Sequence, residues 1–189
     1  MSSALPWFLK TSLNRENGTG LVLGYTFWYL AQHRHAQLRI RAELEAAGID
    51  MTKRPAPETD VSISPDSIPV ALEKVKYLDA VICESLRMRP TSTLLPRITP
   101  SDRRISLAGV DNIPPDTRVN AFQWFVHRDP EKWEKVDEWV PERWLGRDGL
   151  GRKNDREDVL WAFASGPRIC LGNNWTFYGE VLSLYHFGL

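Results

Sequence analysis

Six of the eight tryptophans lie between Trp124 and Trp175, in a stretch that also carries prolines and glycines and has no sustained hydrophobic period. Such a segment favours neither a long helix nor a regular strand, because both need apolar residues at a fixed spacing. Large aromatic rings nevertheless stabilise a fold when they leave water. We therefore predict a coiled meander over residues 129–172 whose path is fixed by aromatic side chains.

The part of the chain before this stretch contains three segments with helical composition. They span residues 18–31, 34–47 and 70–88. Gly48 stands where a helix commonly ends in the left-handed conformation. Pro90 ends the third helix, because the residue before a proline is disfavoured in the helical region. Residues 49–69 hold four prolines and predict a long exposed connection.

Short β-favouring pieces follow the third helix. They lie at residues 93–95, 104–107 and 117–120. Gly109 and the Pro114-Pro115 pair separate them, and this alternation predicts small antiparallel hairpins. We expect a short buried helix over residues 121–127 and a last helix that resumes after the meander. The predicted fold class is mainly α with small antiparallel β hairpins.

Charge and cysteine content exclude several classes of protein. Lys plus Arg and Asp plus Glu both number 24, so no global positive field draws the chain to nucleic acid. The two cysteines, Cys83 and Cys170, are too few for a disulfide scaffold or a zinc site made of thiolates. The longest uncharged stretch, residues 18–33, is shorter than the roughly 20 apolar residues of a spanning helix. We therefore expect neither a transmembrane segment nor a signal peptide.

The most specific signal is FASGPRICLG at residues 163–172, where two glycines bracket Cys170 and Arg168 stands two residues before it. A thiolate that binds iron needs positive surroundings and donated hydrogen bonds to hold its charge. Arg168 can pair with an anionic group of the same cofactor, and Phe163 can shield the sulfur from water. The structural alternative is a buried cysteine in a turn, which is common for free cysteines.

A second signal is the pair Glu84 and Arg87 on the third helix. At a spacing of three residues the two charges share one helical face, and an exposed pair of this kind contributes only about 0.2–0.5 kcal/mol. The face they share is not obviously polar, however. The later sequence Pro-Glu-Arg-Trp at residues 141–144 supplies Arg143, which could complete a buried Glu–Arg–Arg network.

These patterns, in this order, resemble those of the cytochrome P-450 family of haem-thiolate monooxygenases. The family pattern is Glu-x-x-Arg, then Pro-Glu-Arg followed by an aromatic residue, then Phe-x-x-Gly-x-Arg-x-Cys-x-Gly, and the chain matches it residue by residue. The resemblance runs from about Gly18 to the C-terminus and implies the truncated C-terminal haem-binding part of that fold. Residues 1–17 are then an irregular start. Residues 18–189 would be a partial haem-binding domain with the end of the long helix, two following helices, the Glu-x-x-Arg helix, hairpins, meander, cysteine-ligand loop and the start of the last helix.

The resemblance also implies roles for individual residues. Cys170 would be the axial thiolate ligand of the haem iron, and Arg168 would bind a haem propionate. Arg97, which follows the third helix, lies where the family commonly has another propionate-binding base. The motif residues that would also contact the cofactor are Phe163, Gly166 and Gly172.

Two further sets of residues follow from the same resemblance. Glu84, Arg87 and Arg143 would form the structural triad that locks the meander. The family usually places an acidic residue and a threonine for oxygen activation in the long helix, but the usual threonine position falls on Gly18 here. Thr19 is the candidate for proton delivery, although a threonine in an apolar helix often only satisfies a backbone carbonyl.

The function implied is a monooxygenase that inserts one atom of O₂ into a small lipophilic organic substrate, with haem as cofactor. The long connection between the second and third helices resembles that of the eukaryotic microsomal type. Electrons would then come from NADPH through a reductase partner at the endoplasmic reticulum membrane. Full-length members are much longer, so we expect this chain to lack their N-terminal membrane anchor. Membrane association would occur only through that missing anchor.

Two alternatives stay open. A truncated product could bind haem without turnover or could fold unstably, because apolar helices made for a larger core would be left exposed. The departure at Gly18 leaves room for a haem-thiolate isomerase or dehydratase that uses no external electrons.

Overall fold

The computed structural model describes residues 17–48, 75–92, 94–145, 160–170 and 172. The α-helices are α1 (Asn17–Gln32), α2 (Arg34–Ala46), α3 (Lys76–Met88) and α4 (Gln123–Val126). The strands are β1 (Leu95–Ile98), β2 (Ile105–Leu107), β3 (Val110–Ile113) and β4 (Arg118–Ala121). Two short 3₁₀ turns occur at Pro141–Trp144 and Gly166–Arg168.

The first three helices form close to where the sequence predicts them. Helix α1 begins at Asn17, one residue before the predicted start. Helix α2 ends at Ala46, and Gly48 follows with a φ of +80°, the left-handed conformation that glycine adopts without strain. Helix α3 ends at Met88, two residues before Pro90. The predicted first residues of α3, the connection over 49–69, the start of the chain and the helix after the meander lie outside the described residues.

Helix α3 is at the centre of the core. All of its residues from Ala80 to Met88 are buried, although they include Glu84, Ser85 and Arg87. Helices α1 and α2 both pack on it, and so does the turn Pro141–Trp144. The three helices therefore bury a shared apolar core. The polar groups within α3 must find hydrogen-bond partners there, because unpaired buried polar groups are costly.

The strands form two separate two-stranded antiparallel sheets. Strands β1 and β4 pair in register from Leu95 opposite Ala121 to Ile98 opposite Arg118. Strands β2 and β3 form a hairpin in which Gly109 has a φ of +78° at the turn. The sequence did not predict β3, because Asp111 and Asn112 interrupt its apolar pattern, and it placed the first strand at residues 93–95, too early. Cross-strand pairing with β4 decides where β1 lies.

Helix α4 is shorter and more exposed than predicted. It spans Gln123–Val126, and within it only Gln123 is buried. The Phe125 side chain is 68% exposed, so the expectation of a buried helix is wrong. His127, directly after the helix, is completely buried.

The meander is described over residues 129–145 and at residues 160–170 and 172. Three of its rings, Trp133, Trp139 and Trp144, are buried. The ring of Trp139 stacks on Tyr29 of α1 at a centroid separation of 5.4 Å, and the rings of Trp133 and Trp144 also lie 5.4 Å apart. Over residues 129–145, aromatic burial thus fixes the path of the chain, as predicted.

No α-helix within the described ranges is long and apolar enough to cross a membrane.

Candidate functional site

The carboxylate of Glu84 is the centre of a buried polar cluster. It is fully buried and accepts five hydrogen bonds. Two come from the Nε and Nη2 atoms of Arg87, at 3.0 and 2.9 Å. The other three come from the meander: the Val140 N–H at 2.9 Å, Arg143 Nε at 3.1 Å and Trp144 Nε1 at 2.9 Å. The acceptor capacity of the carboxylate is therefore fully used by charged and neutral donors.

Arg87 connects α3 to the meander. Its guanidinium is also fully buried, and besides Glu84 it donates to three main-chain carbonyls. These belong to His127 at 2.9 Å, Val136 at 2.8 Å and Glu138 at 3.0 Å. A buried arginine with its charge paired and its donors bonded avoids the large cost of an isolated charge. One side chain thus holds two carbonyls of the meander and the carbonyl of His127 at the end of α4.

Arg143 closes the same cluster from the meander side. Besides its bond to Glu84, it donates to the Glu134 carbonyl at 2.8 Å and approaches the Lys135 carbonyl at 3.4 Å. The structure therefore brings together the three residues that the sequence pattern singles out, Glu84, Arg87 and Arg143. Sequence reasoning missed Trp144 as a donor to Glu84; the only signal was the aromatic residue after Pro-Glu-Arg.

A second polar link, which sequence reasoning also missed, runs through Tyr77. Its hydroxyl donates to Glu142 Oε1 at 2.8 Å, and its N–H donates to Glu43 of α2 at 2.8 Å. Burial raises the pKa of the Tyr77 hydroxyl, and its hydrogen bond to Glu142 raises it further. The hydroxyl therefore remains a donor, and Tyr77 ties α2, α3 and the Pro141–Trp144 turn together.

Cys170 lies in a loop shaped by the turn Gly166–Arg168. Gly166 has a φ of +70°, which favours glycine at this position. The Ile169 N–H donates to the Gly166 carbonyl at 3.0 Å, and the Cys170 N–H donates to the Phe163 carbonyl at 2.9 Å. A Cβ atom added at Gly172 would lie 3.7 Å from Cys170 Sγ, so Gly172 lies beside the sulfur.

Cys170 is exposed, so the structural alternative of a buried cysteine in a turn does not hold. The Phe163 side chain packs against the main hydrophobic core. Its carbonyl accepts the hydrogen bond from the Cys170 N–H.

The remaining predicted residues are spread over three elements. Arg168 is exposed in the turn before Cys170. Arg97 is exposed on β1, where Nη1 donates to the carbonyl of its neighbour Pro96 at 2.8 Å. Thr19 lies in the first turn of α1, and its side chain is outside the described part.

These residues have the chemistry to hold haem. A thiol is the soft ligand that suits iron, and guanidinium groups bind carboxylates with two parallel hydrogen bonds. Cys170 is exposed, and neither Arg97 nor Arg168 forms an ion pair with any residue in the described ranges. A thiol suited to iron and two guanidinium groups suited to propionates are thus open to a cofactor.

The mainly helical frame, the exposed thiol loop and the buried Glu–Arg–Arg cluster are the features that the family resemblance leads us to expect of a haem-thiolate protein. A family model described as Cytochrome P-450 matches residues 17–175, and the chain belongs to that family. Haem is the family's cofactor. Its members are oxidoreductases of the monooxygenase type that act on small molecules and receive electrons from a reductase.

Several relatives resemble most of this chain. It is 34% identical over 175 residues to cytochrome P-450 71C3 of Zea mays, covering 88% of this chain and 30% of that protein. It is 33% identical over 174 residues to the 3-hydroxyindolin-2-one monooxygenase of Zea mays, with the same coverage of 88% and 30%. A zebra fish cytochrome P-450, in a structure with progesterone, matches with a TM-score of 0.70 at 25% identity, covering 94% of this chain and 36% of that one.

The structural match confirms the predicted fold class, a mainly α part of the cytochrome P-450 fold with small antiparallel sheets. The chain spans less than a third of the length of the curated relatives named above.

Proposed function

We propose that this chain supplies the haem-binding part of a haem-thiolate monooxygenase. The observation that carries the proposal is the exposed thiol of Cys170, held in a glycine turn within the full Phe-x-x-Gly-x-Arg-x-Cys-x-Gly pattern. The reaction proposed for the whole protein inserts one atom of O₂ into a small lipophilic organic substrate. NADPH would provide the electrons through a reductase partner.

In this proposal Cys170 is the axial ligand of the haem iron. Arg168 and Arg97 bind the haem propionates; both residues are exposed. Gly166 gives the loop its left-handed turn, and Gly172 leaves the space beside the sulfur free of a side chain. The bound haem supplies the oxygen-activating chemistry, which the thiolate favours by donating electron density.

Two roles concern residues away from the thiol. Thr19 is proposed to deliver a proton from α1. Glu84, Arg87 and Arg143 are proposed as the structural triad that locks the meander. Their contacts support this role, because the Glu84 and Arg87 side chains together bond to main-chain groups of three meander residues, Val136, Glu138 and Val140, and to the carbonyl of His127 just before the meander.

The test is the absorption spectrum of the haem-reconstituted chain, reduced and exposed to carbon monoxide. We expect a red-shifted Soret band of the thiolate type, which Cys170→Ser abolishes. Cys83→Ala is the matched control, because Cys83 is completely buried in α3 and this variant should keep the band. A chain that retains no haem, or that gives a band of the imidazole or unligated type, would refute the proposal and support the non-catalytic alternative.

The partner and the location of the whole protein are part of the proposal. We place it at the endoplasmic reticulum membrane with an NADPH-dependent reductase, as the resemblance to microsomal members implies. Substrate turnover should then require both NADPH and the reductase. Turnover without either would instead support the isomerase or dehydratase alternative raised by Gly18.

A further inference from the structure

Gln123 and His127 stand at the two ends of one turn of α4, four residues apart, and both side chains are completely buried. They contact the same residue, Trp161, which is the first residue of the segment 161–170, here called the Cys170 loop. The Trp161 N–H donates to His127 Nε2 at 2.8 Å. The Gln123 Nε2 donates to the Trp161 carbonyl. The side chains of Gln123 in α4 and of His127 directly after it therefore hold both main-chain polar groups of Trp161.

We propose that Gln123 and His127 are positioning residues that set the Cys170 loop in place. The inference rests on the proposed function only in that Cys170 is the haem ligand. Neither residue touches the thiol, and both act through Trp161.

Trp161 is itself hydrogen-bonded to later residues of the Cys170 loop. Its carbonyl also accepts the Ala164 N–H at 3.2 Å, and its indole Nε1 donates to Ser165 Oγ at 2.9 Å. Phe163 lies within the turn that these two bonds close, and its carbonyl accepts the hydrogen bond from the Cys170 N–H. Every polar group of Trp161 is thus bonded, and a shift of Trp161 must move the groups that hold Cys170.

His127 also connects the loop to the Glu84 cluster. Arg87 Nη1 donates to the His127 carbonyl at 2.9 Å, while the ring of the same residue accepts from Trp161. The main chain of His127 is therefore fixed by α3, and its ring fixes the loop. This gives the buried ionic cluster a direct connection to the segment that carries the thiol.

The bond from Trp161 requires a neutral His127 ring. Nε2 is the acceptor, so the proton of the neutral ring is on Nδ1, which is buried and has no hydrogen-bond partner among the described residues. Protonation at Nε2 would bring two N–H donors face to face. The charged groups near the ring are the cations Arg87 and Arg128, which oppose a second positive charge. Burial first, and then the positive charges of these two arginines, lower the pKa of His127 to about 4.

The experiment is hydrogen exchange at the Trp161 amide in the 189-residue chain, measured with and without haem. His127→Leu removes the acceptor, and we expect the protection factor to fall by about ten-fold or more, with partial loss of the thiolate-type band. His127→Gln places an amide oxygen near the position of Nε2 and should restore both. His35→Gln, at an exposed histidine of α2, is the matched control and should change neither.

The pH profile separates positioning by the ring from a general packing effect. Opening of the loop frees a histidine that titrates near 6.5, whereas the closed form titrates near 4. Wild-type protection at Trp161 should therefore fall about 20-fold more than that of His127→Gln between pH 7 and pH 5. Gln cannot titrate, so its protection factor should show no such loss.

Two results would overturn the proposal: equal Trp161 protection in wild type and His127→Leu, or the same acid loss in wild type and His127→Gln. Unfolding of the His127→Leu variant would make the buried Cys83 thiol reactive. In that case the proposal is decided by the pH dependence of Trp161 protection in wild type and His127→Gln. A wild-type chain that keeps the exchange pattern but retains no haem would refute the proposed function and leave the positioning of the loop supported.

Discussion

Replacing Glu84 by glutamine changes one buried carboxylate into an amide of nearly the same shape. In the wild type, Oε1 accepts from Arg87 Nη2, the Val140 N–H and Arg143 Nε, while Oε2 accepts from Arg87 Nε and Trp144 Nε1. The amide has only one oxygen, so at least two buried donors lose their acceptor and meet an NH₂ group instead.

The expected cost follows from these contacts. Each orphaned donor costs about 1–3 kcal/mol, and the two charged arginines also lose their counter-charge. Removing one partner of a buried ion pair typically costs about 3–5 kcal/mol, which agrees with this sum. We therefore expect Glu84→Gln to lower the free energy of unfolding by about 3–5 kcal/mol.

Urea unfolding followed by tryptophan fluorescence measures this difference, because three buried indole rings of the meander become exposed. The matched control is Asp102→Asn. Asp102 pairs with Arg103 at 3.2 Å, but the two side chains are 71% and 66% exposed. We expect a change below about 0.5 kcal/mol there. Free energies of unfolding for the two variants within about 1 kcal/mol of each other would refute the reasoning that desolvated charges hold the meander.

Two further predictions use the same assay. Gly166→Ala places a side chain at a φ of +70° and should lower the free energy of unfolding by about 1–2 kcal/mol. Gly20→Ala, in open space on α1, should raise it by about 0.5–1 kcal/mol. Changes of the same sign in the two variants would contradict the assigned backbone conformations. Stability should also fall on acidification, because burial lowers the pKa of His127 from 6.5 to about 4, so that below pH 6.5 the unfolded chain binds a proton that the folded chain does not. This contribution reaches about 3 kcal/mol at pH 4 and should be absent from His127→Gln, which unfolding curves across this pH range would show.

Local rules of the chain predict much of this fold. Periodicity locates the first three helices, and Gly48 and Pro90 mark two of their ends, because helix termination depends on the conformations of neighbouring residues. The proximity of Glu84 and Arg87 is also local, since a spacing of three places both on one face of a helix. The order of the motifs is enough to indicate the family and, with it, the haem cofactor.

The weaker predictions concern elements whose bounds depend on distant partners. Strand β3 forms although Asp111 and Asn112 break its pattern, because pairing with β2 supplies its hydrogen bonds. Helix α4 remains largely exposed because only Gln123 faces the interior. Neither outcome follows from composition or periodicity.

The sequence by itself determined the first three helices, the irregular aromatic segment and the order of the motifs that indicate the family. Tertiary structure alone decided which distant groups form hydrogen bonds. Trp144 and the Val140 N–H donate to Glu84, while Gln123 and His127 bond to the main chain of Trp161. The last two contacts join residues 38 and 34 positions apart. The physical reason is that a hydrogen bond requires donor and acceptor within about 3 Å, and for groups far apart in the chain only the packing of the core brings them to that distance.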